Sequence, residues 1–136
     1  MARLYRLTMT EDHLRALLKA TEFYERISMG QFIEILDTVD PHLKQSIEGR
    51  DIAASFLRIA RQHLMPGLTS DNAFYSIRSP EIHDDNRICY DFQQVVRHRL
   101  SWDKNPAGGW TVNFDKPWRT SEKVDLIQIE AVEVEP

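Results

Sequence analysis

Between Arg97 and Lys104 the chain reads R-H-R-L-S-W-D-K. Two guanidiniums, an imidazole, an indole and an ammonium group fall within eight residues. Arg97, His98, Arg99, Trp102 and Lys104 are residue types that hold anions through charge-assisted hydrogen bonds and that anchor protein contacts. These five form the candidate binding surface. Whether they work together depends on the helix that carries them, which the pattern predicts over about residues 86–103.

On a wheel of about 100° per residue, with Ile88 at the origin, Phe92, Val95 and Val96 gather into one stripe expected to be buried. Arg97 falls opposite, as a solvated charge. His98 lies at the stripe's edge, one turn before Trp102. Arg99 and Asp103 fall inside the stripe. A lone buried charge is costly, so Arg99 must reach past the helix end or pair with Asp103 four residues on. Glu25 and His63 lie on the stripes of their own helices. If the stripes converge, Glu25, His63, Arg99 and Asp103 form an internal polar cluster. Its first reading is a structural network. The alternative is a sponge site for an anionic, nucleotide-like ligand near Arg99 and His63.

Other chemistry is weaker. E-I-H-D-D, residues 81–85, sets His83 beside Asp84 and Asp85, a set that would suit a metal-dependent phosphoesterase or nuclease. No second histidine cluster accompanies it, and Asp and Asn are ordinary turn and cap residues. Cys89 is the single cysteine; it cannot form an intramolecular disulfide and reads as a small buried thiol. Gly108-Gly109 precedes a predicted strand and lacks the Lys-Ser/Thr of a phosphate loop, so a turn is expected. Trp102, Trp110 and Trp118 interleave with Lys104, Lys116 and Arg119. Single-strand binders use such mixtures, and so do protein interfaces. The net charge of −4 favours protein contact over nucleic acid, because duplex binding needs many neutralised phosphates. No catalytic residue, metal set or cofactor is assigned.

The elements that must position these residues are mostly helical. Thr10 is the expected N-cap of a first helix running to about residue 27, with Glu11 and Asp12 in its first turn. That helix has two apolar faces: Leu14, Leu17 and Leu18 on one, Ala16, Ala20, Phe23 and Ile27 on the other. Such a helix is either sandwiched inside its own domain or shared with another copy; the expectation is one face on the sheet and one on helices, of this chain or of a partner subunit. Gly30 breaks the chain. A short helix with Phe32, Ile35 and Leu36 follows, closed at Asp40-Pro41, and 41–50 holds a further helical turn. Asp51 is expected to cap a helix whose core stripe is Ile52, Phe56, Ile59, Ala60 and His63, ended by Pro66-Gly67. Asp84, Asp85 or Asn86 caps the helix with the basic end. Strands are expected over 3–9, 73–78 and 110–114, the last with Trp110, Val112 and Phe114 on one face, and an extended segment over 124–132. The whole is read as an α+β fold, three to four helices on a small antiparallel sheet, in one domain spanning 1–136 with an acidic tail at about 133–136.

Composition agrees with a folded domain: 136 residues, 42% hydrophobic and 28% charged. Charge is uneven. Residues 87–119 carry Arg87, Arg97, Arg99, Lys104, Lys116 and Arg119 against Asp91, Asp103 and Asp115, while the stretch after 120 is acidic. No apolar run reaches membrane-spanning length and no signal-peptide core is present, so a cytoplasmic protein is expected.

Two segments, F-Y-E-R-I-S-M-G-Q-F (23–32) and Y-D-F-Q-Q-V-V-R-H-R-L-S-W-D-K-N-P (90–106), resemble in order and spacing a family of small uncharacterised proteins encoded by bacteriophages and prophages. The resemblance covers most of the chain and carries no catalytic residues over. It implies a protein in the cytoplasm of an infected or lysogenic bacterium that acts by binding, a host protein above all, rather than by turnover. The expected state is a homodimer or larger homo-oligomer.

Overall fold

In a computed structural model, which describes residues 3–39 and 44–134, the chain is all-α. Four helices follow one another: α1 Glu11–Ser28, α2 Glu34–Thr38, α3 Ile47–Leu64 and α4 Asp84–Lys104, with a 3-10 turn at Val112–Phe114. Among the described residues there is no strand, so the α+β expectation is corrected. Residues 3–9, 73–78 and 124–132 carry strand-prone side chains but have no neighbouring strand to complete a ladder. Trp110 to Phe114 ends in the 3-10 turn instead. The Asp40-Pro41 closure, part of the 41–50 turn and the last two residues of the acidic tail lie outside the described residues.

Local signals set the helix ends. Thr10 caps α1 as expected. Its hydroxyl accepts from the His13 N–H at 3.2 Å, and the His13 ring returns to the Thr10 N–H at 3.4 Å. Gly30 stops the chain beyond α1 with φ of 101°. A Cβ there would sit 2.5 Å from Leu68 Cδ1, so a side chain is excluded by crowding and by backbone conformation together. For α3 the cap is Ser46, whose hydroxyl accepts from the Gly49 N–H at 2.9 Å. Asp51, expected as the cap, lies inside the helix. For α4 the cap is His83, with Nδ1 accepting from the Asp85 N–H at 3.2 Å; Asp84 and Asp85 form the first turn.

Helices α1 and α4 form the main packed pair. They run antiparallel: Glu22 meets Arg97 at 2.8 Å, and Glu25 meets Gln93 at 2.7 Å, so advance along one is retreat along the other. Arg26 ties α1 to α2 through Glu34 at 2.7 Å. Arg50 of α3 donates to the Leu36 carbonyl of α2 at 3.1 Å and lies 3.4 Å from Asp37. Among the described residues, α2 is the one helix that α3 touches. Its far end is held by Arg61, which donates to the Ala73 and Ser70 carbonyls of the following loop. That loop returns to α1 through the Tyr75 N–H on the Met29 carbonyl at 2.8 Å.

The interior is unusual in kind. Met29, Ala54, Leu68, Ile82, Val95 and Val96 are its buried apolar residues. On α4 alone Asp84, Asn86, Arg87, Asp91 and Gln93 are also buried. These polar groups are tolerable only because nearly all are partnered. Of the stripe that apolar spacing predicts for α4, Val95 and Val96 are buried, while Ile88 and Phe92 are only half-buried.

The expected core stripe of α3 is turned outward. Phe56 is 67% exposed, Ile52 and Ile59 each 51%. The inward face carries Ala54 and Arg61 instead. Because Arg50 and Arg61 find carbonyls on α2 and the 70–73 loop, hydrogen bonding, rather than burial of its apolar side, orients this helix.

Candidate functional site

The last two turns of α4 receive the loop that follows them. The Trp102 indole Nε1 donates to the Phe114 carbonyl at 3.2 Å, and the two rings meet edge to face at 5.3 Å between centroids. His98 Nδ1 lies 3.0 Å from the Asn113 carbonyl. Gly108, at φ of 90°, lets the loop pass over the indole; a Cβ there would lie 3.2 Å from it. So His98 and Trp102 hold the 105–114 loop as much as they face solvent.

Arg97 is corrected from a solvated charge to an interhelical one. Its side chain is 31% exposed and bound to Glu22 of α1. Arg99 is 3.1 Å from Asp103, the i,i+4 pair foreseen in the sequence, with both side chains at the surface. Lys104 is exposed. The loop displays Trp110, which nothing among the described residues covers, and Val112, which is 80% exposed. Trp110, expected in a strand on one face with Val112 and Phe114, stands instead at an exposed bend of the loop. The two adjacent glycines before it are the signal for that placement.

Glu25, His63, Arg99 and Asp103 are not gathered into one cluster. Glu25 is buried, and its partner is the Gln93 amide, which donates to Oε2. Burial pushes the Glu25 carboxyl above the usual range, against the opposing pull of Gln93, Arg26 and Arg97. His63 lies exposed on α3, which makes no helix contact with α4. Nothing brings it to Arg99.

His83, Asp84 and Asp85 are likewise separated by their duties. His83 caps α4, and its Nδ1 lies 3.3 Å from the exposed Asp85 carboxylate. Asp84 is buried and accepts from the Ser121 hydroxyl at 2.7 Å and the Glu122 N–H at 3.0 Å, with Arg87 at 3.6 Å. Burial alone would raise its carboxyl. The donors from Glu122 and Ser121, together with Arg87, outweigh it and hold the group below the usual carboxylate range. Among the described residues no group of three metal-ligating side chains is assembled. Cys89 is half-buried; desolvation, with Glu25 and Asp85 nearby, pushes its thiol up, away from nucleophilic character.

Sequence reasoning missed the strap that crosses α4. Gln94 donates to the Trp118 carbonyl at 2.9 Å. Asp91 accepts from the Thr120 N–H at 2.9 Å, the Thr120 hydroxyl at 2.6 Å and the Ser121 N–H at 2.9 Å. Residues 118–122 thus run back along α4 toward its N-terminus. The signal was present: Asp84 and Asp91 are seven residues apart, two helical turns, which places both carboxylates on one face. Arg87 between them donates to the Ile77 and Ser79 carbonyls at 2.9 and 2.7 Å. Asn86 lies buried in the same helix with no partner for its amide among the described residues.

The class the fold defines is a small all-α protein with a strapped helix pair and an outlying amphipathic helix. No protein-family model matches the chain, and no curated protein or solved structure matches it. Among the described residues, no helix is long and apolar enough to cross a membrane.

Proposed function

We propose that this protein acts by capturing another protein, in the cytoplasm of a bacterium that carries the phage or prophage encoding it, and that it does so as a homo-oligomer without turnover of a substrate. Trp110 is the observation that carries the reading: a fully exposed indole held out on a loop that α4 braces from behind. Val112 on the same loop and Trp102 beneath Gly108 are exposed too, and Lys104 and Lys116, which flank the loop in sequence, are exposed cations. Exposed Trp with a cationic rim suits a partner that offers an apolar slot edged by carboxylates. Of the surface expected from sequence, His98 serves this face by holding the loop at the Asn113 carbonyl, while Arg97 joins α4 to α1 through Glu22.

Trp110→Ser with Lys104→Glu tests it. Since Trp110 touches no core residue, the double variant keeps its helical signal and melting temperature. In pull-down from bacterial lysate the captured species is lost, with affinity falling about thirtyfold or more if the indole is a hot spot. Equal capture by wild type and variant places the function elsewhere.

A further inference from the structure

Two extended segments stand apart from the hydrogen bonding of the chain. Among the described residues, no backbone hydrogen bond joins 3–9 or 125–134 to anything else. Neither segment contains glycine or proline, and Leu4, Tyr5, Leu7, Ile127 and Val132 are exposed. Unpaired extended backbone of this composition is a template for another strand.

Aligned antiparallel with Arg6 beside Glu130, the two segments match at every position. Arg3 then faces Glu133, so both guanidiniums meet carboxylates. Leu4 faces Val132, Leu7 faces Ile129 and Met9 faces Ile127. The remaining pairs are Tyr5 with Ala131 and Thr8 with Gln128. Cross-strand pairs of opposite charge and of apolar side chains are what stabilise a ladder. A slip of one residue either way sets both arginines on aliphatic side chains. The parallel alignment that matches both arginines carries Thr8 and Met9 past Val134 and leaves Ile127 and Ile129 unpaired.

Geometry decides whose strands these are. From the Glu22–Arg97 contact, α1 runs back to Thr10 and α4 runs back to Asp84 in opposite directions. At 1.5 Å per residue Thr10 and Asp84 are about 35 Å apart. The Glu122 N–H is bound to Asp84. The stretch from Glu122 to Ile127 spans about 17 Å at full extension, too short to reach Met9 beside Thr10. We infer that residues 3–9 of one copy pair with 127–133 of a second copy, and that the exchange is reciprocal. A two-fold axis across the α1–α4 pair then makes two identical ladders. One two-stranded ladder is marginal in water, but two joined through the helices reinforce each other. The chain by itself stays all-α; the ladders exist only between copies. The inference rests on the proposed homo-oligomeric state and is independent of capture through Trp110.

Sedimentation velocity over about 5–200 μM is expected to show a wild-type dimer toward the upper end. Arg6→Glu and Glu130→Arg, both at exposed positions, are each expected to stay monomeric with unchanged helical signal. Their dissociation constants rise about tenfold or more, because like charges face each other twice per dimer. An equimolar mixture of the two variants dimerises again, since both ladders then pair opposite charges. Thr8→Cys with Gln128→Cys in one chain is expected to give a disulfide-linked dimer under mild oxidation, which neither single variant gives. A wild type that stays monomeric throughout this range overturns the homo-oligomeric reading and the inference together. With a dimeric wild type, the inference alone is overturned by dimers that survive both charge changes, by a mixture that stays monomeric, or by a double-cysteine chain that closes on itself.

Discussion

Helices α3 and α4 invert the usual division of a helix surface in opposite senses. Helix α4 buries carboxylates, a guanidinium and amides, while α3 shows water its aliphatic and aromatic ridge. The difference lies in who supplies partners. Facing α4, the strap at 120–122 and the loop at 77–79 bring donors and acceptors to Asp84, Arg87 and Asp91. The cost of desolvating those groups is thereby met inside the chain. Facing the ridge of α3 the described chain brings nothing, while behind it Arg50 and Arg61 find carbonyls. A helix is oriented by all its contacts, and hydrogen bonds to charged side chains can outweigh a few exposed aliphatics.

The contrast is broken most severely at Asp91. Asp91→Ala orphans the Thr120 and Ser121 N–H groups and should cost about 3 kcal/mol, read as a lower urea midpoint. Gly30→Ala comes next, at about 2 kcal/mol, from an unfavourable φ and the crowding by Leu68. A smaller effect of opposite sign is expected at Glu25. Its carboxyl titrates higher folded than unfolded, so its contribution to stability is present at acid pH and lost as pH rises through the folded value. Glu25→Gln should therefore raise the thermal midpoint at pH 7, with the gap to wild type closing near pH 4.5. Asp84 has the reverse linkage, so native stability should fall as pH drops below about 3.8. Smallest of all, Phe56→Ser should change the folding stability of the isolated monomer by about 0.5 kcal/mol or less. Unfolding at low micromolar concentration checks this, and a loss of several kcal/mol there would return Phe56 to the core.

Local chemistry made part of this legible in advance. Thr10 with acidic residues behind it announced the start of α1, and the α4 span was visible from its periodicity. Arg99 and Asp103 paired as their spacing requires. The absence of the expected strands was not foreseeable, because a β-prone run such as R-L-Y-R-L-T-M says nothing about whether another strand will lie beside it. Nor was the direction of α3, since its amphipathic pattern names a ridge without saying who covers it. The buried carboxylates Asp84 and Asp91 escaped a reading that sought interior charge at Glu25, Arg99 and Asp103 instead. Their donors, Thr120 and Ser121, lie some thirty positions downstream in a stretch that looked like plain loop.

That separation has a consequence for synthesis. When α4 leaves the ribosome, Asp84 and Asp91 still lack the hydroxyl and amide hydrogens that will hold them, and their helix stays open to solvent on that side. Only when Thr120 through Glu122 emerge can this part of the nascent polypeptide lock, so the helix waits on a segment translated well after it.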